Sequence, residues 1–112
     1  MIEIEAVLDE TGTLQACKAR GHAGAGKKGT DIVCAAVSVL MRTAHITLSD
    51  RKGITIMSDA PEPGNFRLQA DYTAEGREFL YAAGVFLTEG LKSVAEEFPD
   101  YCKFTIRTER RI

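Results

Sequence analysis

A histidine and a cysteine stand near the two ends of one glycine-rich stretch, Gly21-His22-Ala23-Gly24-Ala25-Gly26-Lys27-Lys28-Gly29-Thr30-Asp31-Ile32-Val33-Cys34. A thiol brought beside an imidazole can become a nucleophile. Four glycines in the nine residues from Gly21 to Gly29 allow sharp bends and close backbone approach, so the segment can open, close or lie against an extended peptide. Gly21, Gly24, Gly26 and Gly29 are therefore the candidate substrate-binding positions of a mobile loop. Taking Asp31 as the N-cap of the helix that follows makes Cys34 the third helical residue. Free N–H groups and the helix dipole favour negative charge there and would lower a thiol's pKa. His22 could hold the proton as imidazolium and return it to a leaving amine, while backbone N–H groups near Cys34 stabilise the oxyanion.

Each of these residues also has a plainer reading. Free cysteine is among the most buried residue types, and Ile32-Val33-Cys34-Ala35-Ala36-Val37 reads as core helix. On the residues alone, that reading stands ahead of the nucleophile, and His22 reads as an ordinary loop histidine. Asp31 either caps the helix or orients His22, and capping is the simpler use. Ser38, one turn after Cys34, could support the site or bond only its own helix. Cys17 and Cys102 fall in strand patterns and read as core, and His45 suits the negative end of its helix.

The same stretch imitates two phosphate-binding motifs. Gly24 to Gly29 spells G-x-G-x-x-G, and Gly21 to Lys27 spells G-x-x-x-x-G-K. The phosphate loop needs Ser or Thr after its lysine, and Lys28 stands there instead. The dinucleotide motif needs a βαβ unit whose helix opens within the glycines, whereas Thr30 and Asp31 place the helix start after Gly29.

The elements that must position these residues follow from periodicity. Ile2 to Leu8 alternates as a strand, Asp9-Glu10-Thr11-Gly12 is a turn, and Leu14 to Arg20 closes a hairpin. Ile32 to Leu48 is a helix with Val33, Val37, Leu40 and Ala44 on one face. Ile54 to Ser58 is a short strand, and Ala60-Pro61-Glu62-Pro63-Gly64-Asn65 is a loop. Phe66 to Tyr72 is a strand, and a long helix after Gly76 ends near Phe98. Its stripe is Leu80, Ala83, Leu87, Leu91, Val94 and Phe98, widened by Phe79 and Phe86, which could belong to core or to an interface, core being the default. Cys102 to Arg107 is the last strand. The order β-β-α-β-β-α-β predicts an α/β fold of the α+β type, a two-layer sandwich with a mainly antiparallel sheet and two helices.

Length and composition agree. A chain of 112 residues with 45% hydrophobic and 27% charged residues is expected to form one domain, residues 1–112, without disulfides or metal. A net charge of −2 gives no pull toward nucleic acid, and no run approaches the roughly 20 apolar residues of a membrane span. The acidic, alternating start is not a signal peptide. Three cysteines without framework spacing fit a reducing cytoplasm. With no CxxC, and His22 and His45 the only histidines, neither a metal nor a cofactor is expected.

At Gly21-His22-Ala23-Gly24, Gly29 and Asp31-Ile32-Val33-Cys34-Ala35-Ala36-Val37-Ser38 the chain resembles the ribosomal-processing cysteine proteases (Prp), and length and element order extend the resemblance over the whole chain. Ala25, Lys27 and Lys28 stand where family loops often carry aromatics, which makes this loop more basic. The resemblance implies a small cytoplasmic bacterial enzyme, a homodimer, that removes a short N-terminal extension from a large-subunit ribosomal protein precursor with a phenylalanine-rich cut site. It maps the catalytic cysteine onto Cys34, the histidine onto His22, the acidic residue before the cysteine onto Asp31 and the serine one turn later onto Ser38. Cys34 then becomes the favoured nucleophile. Two other readings stand beside it: a non-enzymatic ribosome-associated protein using the loop as a peptide clamp, and a phosphate or nucleotide binder.

Overall fold

In a computed structural model, described for residues 1–21, 28–62 and 65–111 and for the backbone alone at 28–31 and 61–62, seven elements follow one another along the chain. They are β1 (Ile2–Leu8), β2 (Leu14–Arg20), α1 (Lys28–Leu48), β3 (Ile54–Glu62), β4 (Asn65–Tyr72), α2 (Arg77–Glu97) and β5 (Cys102–Thr108). The sheet order is β3-β4-β2-β1-β5. All neighbours are antiparallel except β1 and β5, which run parallel with Ile2 opposite Cys102. The expected α+β sandwich with a mainly antiparallel sheet is therefore present, with one parallel pair. Both helices lie on one face, α1 over β3 and β4, and α2 over β5 and β2, in contact with each other. No described helix is long and apolar enough to cross a membrane.

The alternation in β1 does what its residue types dictate. Ile2, Ile4 and Ala6 are buried under the helices while Glu3 faces solvent, and a register irregularity at Val7/Leu8 buries Val7 as well. Leu14, Cys17 and Ala19 extend the core on β2, and Leu68 on β4. From above, α1 contributes Val33, Val37, Met41, Ala44 and Leu48, and α2 contributes Leu80, Leu87 and Leu91. Gly84 is buried with this α2 row because the helix passes so close to β2 that a Cβ there would lie 2.9 Å from the Leu14 Cβ.

The β1–β2 turn is held by a buried carboxylate. Asp9 accepts from the Thr11 N–H at 2.8 Å, the Thr11 hydroxyl at 2.6 Å, the Thr13 N–H at 3.1 Å and the Tyr72 hydroxyl of β4. Burial by itself would raise the Asp9 pKa, but these bonds from Thr11, Tyr72 and Thr13 outweigh it and hold the carboxyl below its ordinary value.

Three expectations are corrected. β3 continues through Pro61 to Glu62, where the Pro/Gly content predicts a loop. It is an edge strand, so a residue without an N–H is tolerated, and its register with β4 shifts between Asp59 and Glu62. α1 begins at Lys28 rather than near Ile32. Phe79 and Phe86 are exposed rather than core, because the sheet reaches only the Leu80 and Leu87 side of α2.

Candidate active site

The chain leaves β2 at Arg20, which pairs with Glu3 of β1 and Asn65 of β4. This end of the sheet therefore collects the starts of β1, β4 and β5, the end of β3, and the segment joining β2 to α1. Gly21 sits here with φ +126, and a Cβ on it would fall 2.2 Å from the Met1 carbonyl oxygen. Only glycine fits this left-handed residue packed against backbone. His22, Gly24 and Gly26 lie outside the described residues. Gly29 lies in the backbone of α1, and the side chain of Asp31 lies outside what is described.

The earlier start of α1 changes the local electrostatics. Asp31 is the fourth helical residue, so the N-cap assignment does not hold, and Cys34 is the seventh rather than the third. Gly29 is a poor helix former, at a cost of about 1 kcal/mol, but no proline stands between Lys28 and Ile32, and an acidic residue is as acceptable in the first turn as at the cap. The dipole acts mainly within the first turn, and the Cys34 N–H falls inside the i→i−4 ladder. The free helical donors are instead those of residues 28–31, one turn before the thiol. The helix also opens before Gly29, which removes one objection to the dinucleotide motif. Its topological objection stands, since β2 is fed by a hairpin and separated from β3 by β4, and the phosphate loop still lacks a Ser or Thr after Lys27.

Cys34 is half-buried and packs against the core, whereas Cys17 and Cys102 are buried within it. Burial pushes the Cys17 thiol up to about 12. Burial, and then the nearby Cys34 thiol, push Cys102 up as well, which puts Cys34 near the first residue of β5. Ser38 is exposed one turn further along α1. Half-buried aromatics close the same end of the sheet: Phe66 opposite Ala19, Phe98 after α2, and Tyr101, whose carbonyl accepts from the Ile2 N–H at 2.8 Å. Periodicity reads Phe66 and Phe98 as core residues; their place at this end of the sheet depends on strand order, which no local pattern reveals. The described geometry thus brings Cys34, Gly21 and these aromatics to one end of the fold. Such an end of the fold can present a sulfur nucleophile together with half-buried aromatic side chains.

A family model described as cysteine protease Prp matches residues 1–103. Among solved structures, SMU.848 from Streptococcus mutans is 27% identical, with 97% of this chain and 96% of that one covered at a TM-score of 0.77. The ribosomal processing protease Prp from S. aureus in complex with a substrate peptide is 17% identical, with 96% and 100% covered at a TM-score of 0.80. The same protease with a covalently linked product peptide gives 18% identity, the same coverage and a TM-score of 0.79. None of the curated proteins matches the chain.

Proposed function

Since this chain belongs to the Prp family of cysteine proteases, we propose that it is an endopeptidase that removes a short N-terminal extension from a large-subunit ribosomal protein precursor, with Cys34 as nucleophile and His22 as general base and acid. The observation that carries this is the family match across residues 1–103, which spans both Gly21-His22 and the Asp31-to-Ser38 run. The half-buried position of Cys34, where Cys17 and Cys102 are buried, supports its choice among the three cysteines.

In this reading, His22 takes the thiol proton and the sulfur attacks the scissile carbonyl carbon. The tetrahedral oxyanion collapses by breaking the C–N bond, and the imidazolium protonates the departing amine. Water, deprotonated by His22, then attacks the thioester and releases the carboxylate and the thiol. The covalently linked product peptide in the S. aureus protease fits a route through such an intermediate. The loop glycines Gly21, Gly24, Gly26 and Gly29 admit the peptide, Asp31 orients His22, and Ser38 supports the thiol's turn. Oxyanion donors come from the first turn of α1. Residues 1–112 act as one domain, in the cytoplasm, as a homodimer and without nucleic acid, metal or cofactor.

The test is cleavage of a peptide spanning a ribosomal-protein N-terminus, followed by mass spectrometry. Cys34→Ala is expected to abolish cleavage and His22→Ala to reduce it by at least about a hundredfold. Undiminished cleavage by Cys34→Ala would overturn the mechanism.

A further inference from the structure

Edge strand β5 closes the sheet with little packing to hold it. Of its seven residues only Cys102 is buried. Phe104 and Ile106 share the Cys102 face of the strand, yet Ile106 is 48% exposed. Its one ladder is the parallel pairing with β1, the weaker kind per residue, and the Arg107–Glu5 ion pair at 3.4 Å is exposed. A strand held this way frays from its far end unless something fastens it.

The residues after β5 supply the fastening. The Glu109 N–H donates to the Leu8 carbonyl at 2.8 Å, one step past the strand. The Arg111 N–H then donates to the Glu10 carboxylate in the β1–β2 turn at 2.7 Å. The Arg111 guanidinium lies 3.8 Å over the Tyr72 ring and donates to the Asp71 carboxylate at 2.6 Å and to the Tyr72 carbonyl. Three residues thus run from the sheet edge past the end of β1 and the start of β2 to the end of β4. The anchor is firm, because the Tyr72 hydroxyl is itself bonded to the buried Asp9. Asp71 answers the cation: its carboxyl is held below its ordinary value by the Tyr72 N–H and then by Arg111. Stacking on a ring while donating sideways suits a planar guanidinium and not an ammonium. Glu109 and Arg110 are exposed, so the docking is particular to Arg111.

We infer that residues 109–111 are a latch: Arg111, seated on Tyr72 and Asp71, ties the far end of β5 to β4, and the opening of this contact sets how far the edge strand frays. The latch does not depend on the catalytic assignment, and it lies beyond the family match, which ends at residue 103. The strand it fastens at one end begins at the other with Cys102, so the latch steadies from a distance the ladder that holds Cys102 opposite Ile2.

Amide hydrogen exchange of the full chain, read by mass spectrometry on the peptide that covers Ile106 to Glu109, tests the proposal. Arg111→Ala is expected to speed exchange there by about tenfold, the loss of one charge-assisted bond and one stacked cation, while α1 and β2 exchange as in the wild type. Arg111→Lys should recover only part of the protection, since an ammonium keeps the charge and loses the stack. Asp71→Ala should speed exchange in the same peptide and add little to Arg111→Ala, because both break one contact. Arg110→Ala, at an exposed neighbour, should change nothing. Exchange within about twofold of wild type in both Arg111→Ala and Asp71→Ala would overturn the latch. So would an equal rise in Arg110→Ala, or a rise spread evenly over α1 and β2, which would mark a global loss of stability. The readout is protection at β5, so any of these results leaves the protease assay to stand or fall by itself.

Discussion

Selective alkylation gives the sharpest test of which cysteine is available for chemistry. With its pKa pushed up to about 12, the Cys17 thiol is ionised in about 10^(7−12), or 1 in 10⁵, of molecules at pH 7. A free thiol with a pKa of about 8.5 is ionised in roughly 3%. The thiolate is the reacting species, so Cys17 should lag a free thiol by about three orders of magnitude from ionisation alone, and by more because it is fully buried. Cys102 is held up in the same direction by burial and by Cys34. The experiment exposes native protein to iodoacetamide at pH 7 and follows each cysteine peptide by mass spectrometry, with glutathione as a reference. Cys34 is expected to take the label first, and Cys34→Ala to take none on that timescale until urea unfolds it, when both remaining cysteines react together. Labelling of Cys17 or Cys102 at a rate within tenfold of Cys34 in folded protein would refute the reasoning.

Three further outcomes follow from the packing. Asp9→Ala removes the acceptor of four bonds and strands the buried Thr13 N–H, so urea denaturation at pH 7 should show a loss of about 3 kcal/mol. Because the folded Asp9 pKa is lowered, its stabilisation is present above the unfolded pKa of about 3.9 and is lost as pH falls through the folded value. The gap between Asp9→Ala and wild type should therefore narrow in acid. Gly21→Ala, with φ +126 and a Cβ 2.2 Å from the Met1 oxygen, should cost about 2 kcal/mol or more in the same assay and lower peptide cleavage as the chain before His22 shifts. Gly84→Ala should lower the thermal midpoint by an amount worth roughly 1–2 kcal/mol, since the clash with Leu14 outweighs the gain in helix propensity.

Local pattern revealed what local physics controls. The alternation of Ile2, Ile4 and Ala6, the spacing of Val33, Val37 and Ala44, and the stop at Pro99 each reflect one element's own geometry, and those elements are present. Relations between elements were not legible. Pro61 argues against a strand unless that strand is at an edge, and edge position is a property of the whole sheet. Phe79 and Phe86 share a stripe with Leu80 and Leu87, but how far the sheet reaches around α2 decides which of them it covers. Asp9 reads as a turn residue, and only the approach of Tyr72 from β4 makes it a buried acceptor. For the site, residue types and spacing single out Cys34 and its neighbours as candidates, and the family resemblance raises Cys34 to the favoured nucleophile. The supposed helix start at Asp31 rested on capping preference, a weak force that does not stop a helix from beginning a turn earlier.

The parallel ladder between β1 and β5 bears on how the molecule comes into being. β1 sits inside the sheet only because β5 lies along its far side, joining Ile2 to Cys102 and reaching from Thr105 to the Ile4 carbonyl across 101 positions. Contacts of such sequence separation tend to form slowly, since the entropy of closing a long loop must be surrendered before they reward it. A nascent chain that has completed α2 but not β5 has β1 as a bare edge and lacks the Cys102 side of the thiol's surroundings. A protein that would cut ribosomal precursors can therefore assemble its working end only once β5 has left the machine that is making it.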